Sequence, residues 1–413
     1  MENHKVKIAF FFALFVLLGG FFLFRPQRHA FPPSQESAIA NSLSYPELRD
    51  LEGKPLSFKE LSAYFKMLGR KKGAKYAFEV LKAVPLPPNT DLHLLAHAIG
   101  DELYKQEGAK GIKICTEDFR NACSHSIVIG LLTEKGENAF PEISAACHSA
   151  PGGSGAYTMC FHGLGHGVLA YNGYDLKKTI TMCGLTGTAA YGNQETYQCI
   201  SGAIMELISG GFHNPELWET QRKKYFSDTD PLAPCSSDFM PSAARPLCYM
   251  YLTPHLWVAA GGNIGSPTPE IFEKAFRFCD LLPKGDGAGR DSCFGGFGKE
   301  FIAVVNSRDI RNVADMTDAQ YAKIYEWCML TRDTKGIGSC VLSAMNSLYW
   351  GGENDRNGAI RFCGVVRDPS HQHACITGLI GAVDTYIRDP VYKKEFCKEL
   401  PSQYQKECSA ILQ

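Results

Sequence analysis

The apolar pattern of this chain has two regimes. Ile8 to Phe24 are seventeen consecutive uncharged, mostly large apolar residues, with Lys5 and Lys7 before them and Arg25 and Arg28 after them. Beyond that run, short segments of helical character alternate with turn and cap signals. The first is SFKELSAYFKMLGRKKGAKYAFEVLKAV (57–84), which reads as a capping hairpin of two helices. Asp91 follows as the N-cap of a helix beginning LHLLAHAIGDELYKQEG, because a carboxylate there can accept the orphan N–H groups of the first turn. Further on, turns are marked by Asn172-Gly173 with Asp175, Pro267-Thr268-Pro269, Asp318, Gly351-Gly352 with Asp355, and Asp389-Pro390.

Seventeen residues are at the short end of what spans a bilayer, and the run ends Phe-Phe-Leu-Phe-Arg-Pro without a small-x-small cleavage site. Residues 1–25 therefore read as an uncleaved signal-anchor and transmembrane helix, with a cleaved signal peptide as the alternative. No cysteine lies close to the run, so a lipid modification there has no acceptor. Residues 26–55, with several Pro, Ser and Asn, read as a linker, and 56–413 as the folded body.

The cysteines set the body's organisation. All sixteen lie between Cys115 and Cys408. Taken consecutively they pair as 115/123, 147/160, 183/199, 235/248, 279/293, 328/340, 363/375 and 397/408. Within pairs the spacing runs from 8 (115 to 123) to 16 (183 to 199); between pairs it runs from 22 (375 to 397) to 36 (199 to 235). So many cysteines point to an oxidising, extracytoplasmic compartment, which gives the anchor its orientation: the body lies in the periplasm or at the cell surface. A metal role for the thiols has no C-x-x-C to rest on. The first cysteine of most pairs closes a helical stretch (TITMC, AFRFC, IYEWC, AIRFC), and the second opens another (CFHGLGHGVL, CISGAIMELI, CFGGFGKEFI). The expected fold is all-α: helical hairpins, each stapled to the next by a disulfide across their connecting loop. They form an α/α solenoid or a closed toroid. An irregular disulfide-rich globule is the competing reading.

The opening cysteines, with Asp91 in place of the first, also define a register. His93 and His97 stand at +2 and +6 from Asp91, His125 at +2 from Cys123, and His162 and His166 at +2 and +6 from Cys160. Later units carry Ser201, Met205, Glu206, Met250, His255, Gly295, Lys299 and Glu300 at the same or adjacent places. Residues four apart share a helix face. Stacked units set equivalent positions side by side, so five histidines from three successive helices are expected to converge, with Glu206 and His255 at the edge of the patch. A lone HxxxH pair is more often a polar helix face, and a lone His125 an interior hydrogen-bonded ring; the shared register is what raises a metal site above those readings. Met205 and Met250 read as core. His371 and His373, in SHQHAC, read as solvated within a disulfide loop, and PGGSG (151–155) as a flexible connection inside another.

Composition then narrows the chemistry. Lys+Arg at 42 against Asp+Glu at 43 in 413 residues, with no basic run, leaves a nucleic-acid partner without an electrostatic footprint. Both histidine pairs, HLLAH and HGLGH, have the spacing of the zinc-protease HExxH motif but lack its glutamate. No G-x-S-x-G and no C-x-x-C-H occur. The leading expectation is a transition-metal protein (zinc, iron, copper or nickel) held by His93, His97, His125, His162, His166 and His255. It acts as a hydrolase with Glu206 as general base, or as an oxidoreductase. The runner-up is a helical-repeat scaffold whose 25 Phe, 18 Tyr and 4 Trp anchor a protein or ligand. A third reading, a carbohydrate-processing helical barrel, would use Glu206 and Glu300 as its carboxylate pair.

Overall fold

The computed structural model describes residues 45–413, apart from 52–53, 152, 212–213, 228, 312, 350–355, 388 and 413. The Ile8–Phe24 run, the linker up to 44 and the Gly351-Gly352/Asp355 turn lie outside the described residues. Among the described residues no helix is long and apolar enough to cross a membrane, and there is no strand.

The body starts earlier than the linker expectation. Glu47–Leu51 forms a short helix that is docked rather than tethered: Leu51 is buried, and the Glu47 carboxylate receives Lys72 Nζ at 2.7 Å and the Tyr76 hydroxyl at 2.9 Å. The capping hairpin follows as α1 (Phe58–Lys72), opened by a Ser57/Glu60 capping box, and α2 (Ala74–Ala83). Its turn is Gly73 at φ 93°, a conformation that suits a residue without Cβ.

Nine helices pack in succession: α3 (Leu92–Glu107), α4 (Asp118–Lys135), α5 (Gly153–Tyr171), α6 (Gln194–Ser209), the short consecutive α7 (Arg245–Tyr251) and α8 (Thr253–Ala259), α9 (Gly287–Val305), α10 (Thr334–Tyr349) and α11 (Pro369–Tyr386). From α3 to α7 each packs on its successor; α7 packs on α9, α9 on α10, and α10 on α11. Shorter helices such as Leu176–Cys183, Pro269–Cys279, Asp318–Cys328 and Arg356–Val365 lie between them in the chain. α3 begins at Asp91, whose carboxylate accepts the Leu94 N–H at 3.0 Å.

All eight disulfides join sequence-adjacent cysteines, and no cysteine is free. On loop entropy each such short loop contributes about 2–3 kcal/mol. The second cysteine of a pair generally sits well inside its helix rather than opening it. Helices α9 and α11 begin earlier because Asp286 and Asp368 cap them, accepting Gly289 N–H and the Ser370 and His371 N–H groups. Two segments are drawn into helices by that shift: the end of PGGSG enters the first turn of α5, and His371 and His373, still inside the Cys363–Cys375 loop, stand in the first turns of α11, His373 exposed as expected and His371 largely covered.

Glycines let neighbouring helices close up. A Cβ on Gly165 of α5 would run into the Cys199 carbonyl of α6, one on Gly202 into the His162 carbonyl, and one on Gly298 of α9 into the Cys340 carbonyl of α10. The later half is filled by aromatic rings: Phe276 stacks on Phe297 at 4.0 Å, and Phe272 and Phe301 sit 4.7 Å apart beside Trp257 and Trp327. One non-local staple matters for the site. Arg311 donates to the carbonyls of Leu81 and Val84 at 2.9 and 2.8 Å, and the Asn89 N–H donates to Ser307 O at 2.7 Å. The end of α9 is thereby brought against the start of α3.

Candidate metal centre and its cleft

Five of the six sequence-nominated histidines meet. His93 and His97 come from α3, His125 from α4, and His162 and His166 from α5. Ring centres lie 4.7 Å apart for His93–His97 and 5.5 Å for both His93–His125 and His97–His125. His166 stands 6.3, 6.0 and 5.8 Å from those three, and His162 lies 5.8 Å from His125 and 5.2 Å from His166. His93, His97 and His125 offer ring nitrogens that all lie within 4.8 Å of one another. His125 owes its place to Gly163, since a Cβ there would strike the His125 ring.

The hydrogen bonds around these rings determine their tautomers. His93 Nδ1 is 2.7 Å from the Phe119 carbonyl, which can only accept, so Nδ1 carries the proton. The Ser126 hydroxyl donates to the His97 carbonyl and therefore accepts from His97 Nδ1, at 3.2 Å. Ser201 donates to Gln198 O and accepts from His162 Nδ1 at 2.9 Å. His166 Nδ1 faces Glu206 Oε2 at 3.2 Å. Four imidazoles are thus held from behind through Nδ1, leaving Nε2 as the lone-pair atom. His93 Nε2 and His97 Nε2 face each other at 3.2 Å. Both nitrogens of His125 and Nε2 of His166 are buried without a hydrogen-bond partner. Burial favours the neutral form of three of the rings: it pushes His93 down to about 3, aided by the charge of its neighbours, and drives His125 and His162 well below the usual histidine range.

The remaining nominated residues take other positions. His255 does not join the cluster: its ring stacks on Phe226 at 4.1 Å, and burial with Arg222 nearby lowers it to about 4. Its place at +7 from Cys248 is on α8, after the break between α7 and α8, which turns it away. Met205 lines the cleft and is only partly buried, and Met250 is likewise not in the buried core. Glu206 is buried, but its carboxylate also accepts the Gly211 N–H at 2.8 Å and faces the Tyr174 hydroxyl at 3.4 Å. That geometry fixes the carboxylate against His166 while the residue still lines the cleft. Glu300 is ion-paired with Lys299; burial raises its pKa, but Lys299 and Arg120 outweigh that and hold it below the usual carboxylate value.

The cluster opens on a solvent-connected cleft with an enclosed volume of about 100 Å³, walled by α3, α5, α6, α7 and α9 and by the turns at 120 and 308. Its cations, Arg120, Lys299 and Arg308, carried no signal in the sequence beyond the +6 register of Lys299. Tyr251 lies 4.7 Å from His162 by ring centres, with Lys299 Nζ over its face at 4.7 Å. No family model matches the chain, and no curated protein or solved structure matches it.

Proposed function

We propose that this chain is a membrane-anchored, extracytoplasmic metal-binding protein, built from disulfide-stapled helical hairpins, whose cleft houses a His-ligated transition-metal enzyme centre. The observation that carries this reading is the facing pair His93 Nε2 and His97 Nε2. Two lone pairs 3.2 Å apart repel unless a cation lies between or beside them, and with both Nδ1 protons committed a metal ion is the fitting occupant. Carbonyl, hydroxyl and carboxylate partners behind ligating imidazoles are the usual support of such a centre.

His93, His97 and His125 are the core ligands, His166 faces them with its bare Nε2, and His162 supports the group from the rear. Three imidazoles leave a fourth position for water or substrate, as catalytic zinc sites do, and imidazole donors suit iron and copper as well. The disulfides support the compartment, because they persist where thiols are oxidised.

The test is a metal analysis of protein purified under oxidising conditions. Wild type is expected to carry, or take up, zinc, iron or copper, and His97→Ala to lose it while keeping its helix content. His371→Ala and His373→Ala should keep it. Wild-type protein that takes up none of these metals makes the histidine cluster a structural core and favours the scaffold reading.

A further inference from the structure

We propose that the cleft beside the imidazoles binds the oxyanion group, carboxylate or phosphate, of a small acidic substrate, clamped between the guanidinium groups of Arg120 and Arg308 with Lys299 alongside. This deepens the metal-enzyme reading by naming a substrate class, but it stands on different residues.

The backbone supplies the first argument. Phe119, Arg120 and Asn121 are three consecutive non-glycine residues at φ 55°, 57° and 64°, and Ser307 and Arg308 sit at 52° and 62°. Left-handed conformations cost L-residues stability and persist where the surroundings enforce them, which is typical of functional sites. Here both arginines that line the cleft stand in such turns. The 119–121 turn lies inside the Cys115–Cys123 loop and also aims the Phe119 carbonyl at His93. The 307–308 turn is held by the Asn89 N–H and by Arg311 just beyond it.

Charge supplies the second. Among the described residues neither arginine has an ion-pair partner. Arg308 Nη2 donates to the Ile264 carbonyl, and its Nε is buried with no partner. The cleft carboxylates are engaged elsewhere: Asp91 caps α3, Glu206 holds His166, and Glu300 pairs with Lys299. Burial raises Asp91 above the usual carboxylate value and works the same way on Glu300, and Arg120 and Arg308 lie close enough to oppose it at both without pairing with either. Two guanidinium forks with open donors, lining one cleft, match a planar carboxylate or a phosphate. An acid anchored there presents its adjoining bond to the histidine cluster.

The experiment titrates inorganic phosphate and succinate, separately, into metal-stripped full-length protein at pH 8 and constant ionic strength, with chloride as reference. Wild type should bind at least one of the two more tightly than chloride. Arg120→Gln and Arg308→Gln should each weaken that binding about tenfold or more, as expected for loss of a charge-assisted contact. Arg367→Gln, an exposed residue paired with Glu326, should change nothing. Where a glutamine variant fails to fold, Arg120→Lys serves: it keeps the charge, loses the fork, and should weaken binding several-fold. Wild-type binding no better than chloride, or affinity unchanged in the arginine variants, overturns the proposal. Because the metal is removed beforehand, a protein that binds anions through these arginines yet takes up no metal would sink only the metal reading. The converse result would sink only this one.

Discussion

Glu206 on α6 holds His166 on α5 through a 3.2 Å contact between Oε2 and Nδ1, tying two successive disulfide-closed helices together at the site. The same carboxylate takes the Gly211 N–H, so it is fixed from two sides. If it orients His166, Glu206→Gln should lower metal affinity by roughly 10–100-fold, the usual effect of losing an outer partner, while the metal still binds. Competition with a chelator reads this out directly. Unchanged affinity would remove Glu206 from the centre.

The α5–α6 contact tolerates no side chain at its closest points. Gly165→Ala and Gly202→Ala each force a methyl into an opposing carbonyl and should cost about 2–4 kcal/mol, as severe overpacking does. Gly184, with nothing near its added Cβ, should accept alanine within about 1 kcal/mol. Urea denaturation of the three variants compares them, and equal stability of Gly165→Ala and Gly184→Ala would contradict the packing described.

Two disulfides separate stability from site geometry. Replacing Cys115 and Cys123 by serine should cost about 2–3 kcal/mol and also weaken metal binding, because that loop holds the Phe119 carbonyl against His93. Replacing Cys397 and Cys408 should cost a similar amount and leave metal affinity alone, since they lie far along the chain from any ligand. Metal titration of both double variants decides; matching losses of affinity would show that the 115–123 loop has no special role.

Acid should destabilise the metal-free protein above the carboxylate range. His125 and His162 are depressed by burial, as are His93 (to about 3) and His255 (to about 4), whereas unfolded histidine titrates near 6.5. Their folded values lie below the unfolded one, so the stability tied to keeping them neutral is complete above about pH 6.5 and is lost as pH falls toward the folded values. Each such ring can contribute up to about 1.4 kcal/mol per pH unit in that window. Denaturation midpoints between pH 6 and 5 should therefore correspond to a loss steeper than about 2 kcal/mol per unit. A flat profile would mean the rings are solvated.

The cysteine spacing and the cap residues carried most of the secondary structure and all of the covalent links. Disulfides across short loops are set by sequence proximity, and Asp91, Asp175 and Asp389 cap helices through bonds within three residues of themselves. The histidine register was legible for the same reason: a +2/+6 pair on a helix shares one face whatever the helix packs against, and α3, α4 and α5 bring theirs together. Helix starts were less legible. The caps Asp286 and Asp368, seven residues before the second cysteines of their pairs, decided two of them, and the helices overran the disulfide loops, carrying the end of PGGSG, His371 and His373 with them. His255 shows the limit of register counting, because it lies beyond the break between α7 and α8, where the count from Cys248 no longer follows one helix. The place of Arg120 and Arg308 in the cleft and the contact between Glu206 and His166 belong to tertiary structure alone. They depend on left-handed turns and on Arg311 bonding to carbonyls some 230 residues away, contacts that no local pattern encodes because their partners meet only when the chain curls.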